Sequence, residues 1–123
     1  MQTELAVISI PVTDQQRAKQ FYSDVLGFSV VRDAPFNSEA RWIQMSPNGG
    51  SKPSITLVNW FPTMPAGSLK GLVLQSKDLD ADWQTLTNKG CSPAEIKQAP
   101  WGRYTTFSDP DGNGWVLQEP PRS

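Results

Sequence analysis

Histidine is absent from this 123-residue sequence, and cysteine occurs once, at Cys91. The first absence removes the commonest ligand for zinc, nickel or iron and the usual base that activates a serine nucleophile. The second excludes an internal disulfide, and Cys91 lies just past a predicted helix end with no evident base beside it. An excess of one charge is lacking too: eleven basic residues offset twelve acidic ones, so no net field draws the chain to nucleic acid or to an anionic membrane. No apolar run approaches the ~20 residues that cross a bilayer. Nothing at the N-terminus resembles a charged flank followed by an export segment, so a cytoplasmic location is expected. Gly49-Gly50 is too short to cradle a phosphate.

What is present is punctuation and aromatics. Eleven prolines and nine glycines break the chain into short elements, and five tryptophans are many for this length. Leu5 to Val12 is an almost unbroken apolar, β-branched run that reads as a buried strand, with Pro11 near its end. Thr13 or Asp14 offers an N-cap, after which Ala18, Phe21, Tyr22, Val25 and Leu26 recur at helical spacing until Gly27. Phe28 to Val31, Arg41 to Met45 and Ser54 to Val58 read as three strands. Trp60 to Ser68 carries Pro62, Pro65 and Gly67 and reads as a connection. Gly71 to Ser76 then opens a second series: a strand, a helix capped by Asp78 or Asp80 with Leu79, Trp83 and Leu86 inward and Gly90 at its end, and strands near Glu95 to Lys97, Arg103 to Phe107 and Trp115 to Gln118. Asp109 to Gly114 forms a tight turn, with Gly112 or Asn113 suited to positive φ. Element order therefore repeats with a period of about sixty residues, giving half-repeats at about 1–60 and 69–123 within one domain spanning 1–123.

Ile10-Pro11-Val12-Thr13-Asp14, Arg17-Ala18, Phe21-Tyr22, Leu26-Gly27-Phe28, Lys77-Asp78-Leu79-Asp80, Trp101-Gly102 and Phe107-Ser108-Asp109-Pro110-Asp111-Gly112-Asn113 together resemble the glyoxalase, bleomycin-resistance and extradiol-dioxygenase (vicinal oxygen chelate) superfamily along almost the whole chain. The resemblance implies an α+β fold of two βαβββ modules, forming curved mixed sheets around a cavity, and a homodimer. Taken alone, Phe21-Tyr22 and Leu26-Gly27-Phe28 are explained by helix-to-sheet packing. The Asp-Pro-Asp-Gly-Asn run is explained by turn geometry.

Members of that superfamily that do chemistry hold a divalent metal through His and Glu on four strands, and the corresponding positions here are Val7, Thr56, Gly71 and Val116. None is such a ligand, so no metal and no cofactor is expected. An oxygen-only site drawn from Glu95, Glu119, Asp109 and Asp111 is the alternative, but strand alternation turns Glu119 away from Val116 and Gln118, toward expected solvent exposure.

The same alternation gives an inward set: Val7 and Ser9, Thr56 and Val58, Gly71 and Val73, and Val116 and Gln118. This apolar lining with few polar handles suits either a ligand pocket or a filled core. Trp60 and Trp101 sit in Pro- and Gly-bearing segments, where an indole face would stack on a planar ligand or anchor a dimer contact. Arg41 and Arg103 are candidate clamps for a carboxylate or phosphate, with surface exposure as the alternative. A metal-free protein that holds an aromatic or planar small molecule, similar to antibiotic-sequestering members, is the expected function. The alternatives are a glyoxalase-like lyase or isomerase, or an oxygenase, with atypical metal ligands, and an interaction module whose cavity is filled.

Overall fold

A computed structural model describes residues 1–47, 49–50 and 52–121. In its first half, β1 (Val7–Pro11) runs parallel to β4 (Ser54–Val58), and β3 (Arg41–Ser46) and β2 (Ser29–Pro35) follow antiparallel, giving the order β1-β4-β3-β2. The second half repeats this: β5 (Leu72–Gln75) lies parallel to β8 (Gly114–Glu119), then β7 (Gly102–Ser108) and β6 (Lys97–Ala99), in the order β5-β8-β7-β6. Helices α1 (Gln15–Asp24) and α2 (Leu79–Asn88) connect the first two strands of each half. The expected α+β arrangement of two βαβββ modules is therefore the observed one.

Each helix begins and ends for local reasons. Asp14 and Asp78 cap α1 and α2 by accepting the Arg17 and Ala81 amides, each at 3.1 Å. Gly27 and Gly90, at φ 73° and 85°, take the left-handed turn that follows each helix. Three strands depart from expectation. β1 begins at Val7, not Leu5, and Leu5 is exposed because it precedes the pairing with β4. β2 runs on to Pro35, tolerated on an edge strand, because the hairpin closes only where Asn37 Oδ1 accepts the Glu39 and Ala40 amides at 2.8 Å. Pairing of β6 with β7 begins at Lys97 and runs to Ala99, not over Glu95 to Lys97.

Strand alternation turns Ile10, Ile43, Met45, Ile55 and Leu57 toward Ala18 and Tyr22 of α1. Phe107, Trp115 and Leu117 meet Leu79 and Leu86 in the same way, while Trp83, expected inward, is half-buried and donates its indole N–H to the Ala94 carbonyl at 2.8 Å. The two sets form one continuous cluster across the halves.

The halves are tied by the turn between β7 and β8. Asp109, 5 % exposed, accepts the Tyr22 hydroxyl at 2.7 Å and the Asn113 side-chain amide at 2.8 Å on Oδ2, and the Asp111 and Asn113 backbone amides on Oδ1. Tyr22 in turn accepts the Trp115 indole N–H at 3.0 Å. Asn113, fully buried, also donates to the Pro11 carbonyl at 2.8 Å and accepts the Leu69 amide. Burial, and then the neighbouring Asp109 charge, hold the Tyr22 hydroxyl protonated far above its ordinary value. Beside this tie Asp111 Oδ1 accepts from the Thr13 amide and hydroxyl and from Arg17. Gly67, at φ 80°, passes so close that a Cβ would collide with the Asp111 carbonyl.

Replacing Tyr22 with Phe strips one donor from a buried carboxylate and the acceptor from the Trp115 indole. The expected cost is about 1–3 kcal/mol in urea unfolding. Asp109→Ala is expected to cost more, because it also strands two backbone amides and the Asn113 side chain. A Tyr22→Phe midpoint equal to that of the unsubstituted protein would show that the tie does not support the fold.

Candidate functional site

Each sheet has one face turned to a helix and one free of it. On the helix-free face of the first sheet, register places Ser9 beside Thr56, Val7 beside Ser54 and Val58 beside Pro11, with Gln44 opposite Thr56. On the second, Val73 lies beside Val116, and Gln118 lies between Gln75 and Tyr104. Seven of the eight residues expected inward thus share these two faces, four on one and three on the other. Gly71, the eighth, stands just before β5 at φ 79°. Thr56 and Val58 are buried, whereas Val73 is 54 % exposed.

The first face carries an oriented chain of neutral hydrogen bonds. Trp42 Nε1 donates to Gln44 Oε1 at 3.2 Å, Gln44 Nε2 donates to Ser54 Oγ at 2.7 Å, and Ser54 Oγ donates to the Ala6 carbonyl at 3.2 Å. Ser9 and Thr56 share a hydrogen bond at 3.3 Å. At one end of this face Trp60 stacks on Phe36, with ring centres 4.6 Å apart and planes 14° from parallel. Trp42 and Phe61 extend the group at 6.4 and 6.1 Å. Trp101 lies 5.1 Å from Tyr104, whose register partner Gln118 faces the same side. Phe36, Phe61 and Trp101 are about half exposed, an arrangement that core packing does not require.

Sequence reasoning missed Phe36, Trp42, Phe61 and Tyr104 as parts of this surface, although the signal was available. Trp42 and Tyr104 adjoin Arg41 and Arg103 on strands, so if the rings occupy one face the arginines occupy the other.

The structure corrects both arginines in that sense. Arg41 Nε and Nη2 donate to Asp33 at 3.0 and 2.5 Å, and its Nη1 donates to Gln16 of α1 at 2.9 Å. Arg103 donates twice to Asp80 of α2, at 3.0 and 2.8 Å, and once to Glu119 at 3.0 Å. Each guanidinium pins a helix to its sheet and is not presented to the helix-free face as a clamp. Glu119 is corrected as well: it does face away from Val116 and Gln118, yet it is 4 % exposed, because it accepts Arg103 and the Leu79 amide at the start of α2.

The positions that correspond to metal ligands do not fit a metal. Val7, Thr56, Gly71 and Val116 offer a single hydroxyl among them, and that hydroxyl bonds to Ser9. Among the described residues no group of three His, Cys, Asp or Glu side chains comes together, so Glu95, Glu119, Asp109 and Asp111 form no oxygen-only cage.

Two clefts, of about 800 and 690 Å³, open along the seam between the halves. Their walls include Phe21, Phe28, Leu86, Phe107 and Trp115 from the helix side, but also residues expected inward: Gly71 borders both clefts, Val116 the first and Val73 the second. Four of those five side chains, Phe28, Leu86, Phe107 and Trp115, belong to the buried core, so on that side the clefts follow the packing of the two-module junction. Cys91 borders the first cleft, and burial raises its thiol above the ordinary value, away from nucleophilic use.

Hydrogen bonds from Arg41 and Lys19 pull the Asp33 carboxyl from 3.8 down to about 2. A depressed folded value stabilises the fold above pH 3.8, and that stabilisation is lost as pH falls through about 2. Asp33→Asn is expected to flatten the acid limb of stability in this window. At neutral pH it should cost less than about 1 kcal/mol, because water screens the pair. An unchanged acid limb in pH-dependent unfolding would contradict the assignment.

A model described as the Glyoxalase/Bleomycin resistance protein/Dioxygenase superfamily matches residues 4–117. The crystal structure of TnmS3, an antibiotic binding protein from Streptomyces sp. CB03234, superposes with a TM-score of 0.91 at 44% identity, covering 97% of each chain. A glyoxalase/bleomycin resistance protein from the same strain superposes at 0.83 with 46% identity, covering 94% of this chain and 99% of that one. The YetH protein of Bacillus subtilis (strain 168) is 30% identical over 120 residues, covering 94% of this chain and 98% of its own.

Proposed function

The chain belongs to the glyoxalase, bleomycin-resistance and dioxygenase superfamily, and we propose that within it this protein sequesters a planar aromatic small molecule of the antibiotic kind, without metal and without catalysis. The observation that carries this reading is the pairing, on the same faces, of exposed aromatic rings with metal-ligand positions that hold no ligand. Such faces offer stacking and apolar burial, worth roughly 25 cal/mol per Å² removed from water, and the sequence has no histidine to activate their hydroxyls. TnmS3, 44% identical across nearly the whole chain, is described as antibiotic binding, which supports the same class of ligand here.

In this reading the working form is a cytoplasmic homodimer, with the second module of one protomer covering the first-sheet face of the other. Trp60 and Trp101 form aromatic walls, and Val7, Ser9, Thr56, Val58, Val73, Val116 and Gln118 form the floor. Gly71 leaves space where a side chain would stand: a Cβ there meets no atom within 4 Å. The exposure of Val73 and Trp101 in the single chain supports this, since apolar groups left in water favour a covering partner.

Isothermal titration against a panel of planar aromatic and glycopeptide compounds is expected to show saturable binding. Trp60→Ala should weaken it roughly three- to tenfold, the value of one aromatic stack. Absence of saturable binding across the panel, or stoichiometric nickel, zinc, iron or manganese in protein purified without chelators, would overturn the proposal.

A further inference from the structure

From the charge pattern of the helix-free faces, we infer that the ligand is electrically neutral where it lies on the parallel strand pairs β1/β4 and β5/β8, and that side-chain amides and hydroxyls read its polar atoms. This inference rests on the ligand-binding reading above and narrows the ligand's chemistry. On β1, β4, β5 and β8 every side chain on the helix-free face is uncharged. Two of the three strand arginines, Arg41 and Arg103, point to the helices, each held by carboxylates. The cations that do share these faces, Arg32 opposite Gln44 and Lys97 opposite Tyr104, stand on the outer strands β2 and β6. With strands about 4.8 Å apart, the backbones of Arg32 and Lys97 lie two strand spacings, roughly 10 Å, from β4 and β8.

An ionised group set over these parallel strand pairs would lose water and gain no counter-charge from them. Neutral donors and acceptors are provided instead. The Trp42 bond fixes which end of Gln44 is oxygen and which is nitrogen. Each end keeps capacity for one more hydrogen bond. Among the described residues no side chain engages the Gln118 carboxamide, which is half-buried beside Tyr104. A flat ring system bearing carbonyl or N–H groups matches this arrangement.

The test uses one tricyclic frame in three charge states: neutral acridone, an acridone carboxylate and an aminoacridine cation, titrated into the intact protein. Acridone is expected to bind at least tenfold more tightly than either ion, with an affinity that changes less than about twofold on raising salt. Gln118→Glu should weaken acridone and favour the cation. Equal or tighter binding of an ion to the unsubstituted protein overturns this inference and leaves the ligand-binding reading standing. Failure of all three to bind overturns the inference, while the wider panel decides the reading on which it rests.

Discussion

The Asp109 carboxylate is the junction on which the two-module arrangement depends. A carboxylate this buried is tolerated only when its oxygens are filled, and here a tyrosine hydroxyl, a side-chain amide and two backbone amides fill them. Those donors come from α1 of the first module and from the last turn of the second. Asn113 extends the tie to the end of β1 and to the connection before β5. The polar centre and the aromatic contacts of Tyr22, Phe28 and Trp115 around it set the two sheets relative to one another. The helix-free faces are therefore held by groups that take no part in them.

A second regularity follows from the repeat. In each half an arginine near the start of the third strand reaches toward the helix: Arg41 to Gln16 and Asp33, Arg103 to Asp80 and Glu119. Fold charges are thereby gathered on the helix side, and the parallel strand pairs keep only hydroxyls, carboxamides and aliphatic groups on the other. This partition joins stability to specificity. The side that needs directional, charge-assisted pins has them, and on the other side the fixed charges, Arg32 and Lys97, stand only on β2 and β6.

Much of this was legible in the sequence because local rules sufficed. Asp14, Gly27, Asp78 and Gly90 marked the helix ends, and period-two alternation placed Ser9, Thr56, Val116 and Gln118 on common faces. Glu119 and the arginines were harder to read, since their partners lie 16 to 23 residues away, or on a neighbouring strand and helix. The turn at Asp109 was recognised as a turn, but its role as a buried tie depends on Tyr22, 87 residues away. Phe36 and Trp60 meet only because the β2–β3 hairpin and the segment after β4 end at the same edge, a contact set by strand order and not by either local sequence.

In the proposed reading, ligand meets the helix-free faces and not the core side chains of the seam, and four of the five tryptophans separate the two. Trp42, Trp60 and Trp101 stand with the former, whereas Trp115 lines both seam clefts and its indole N–H is bound to the Tyr22 hydroxyl; Trp83, bound to the Ala94 carbonyl, borders neither cleft. Indole N–H resonances followed by nitrogen-15 NMR during titration with a bound planar aromatic compound separate the two. Shifts at Trp42, Trp60 and Trp101 with Trp83 and Trp115 unmoved are the predicted result. A shift confined to Trp115 would contradict the account.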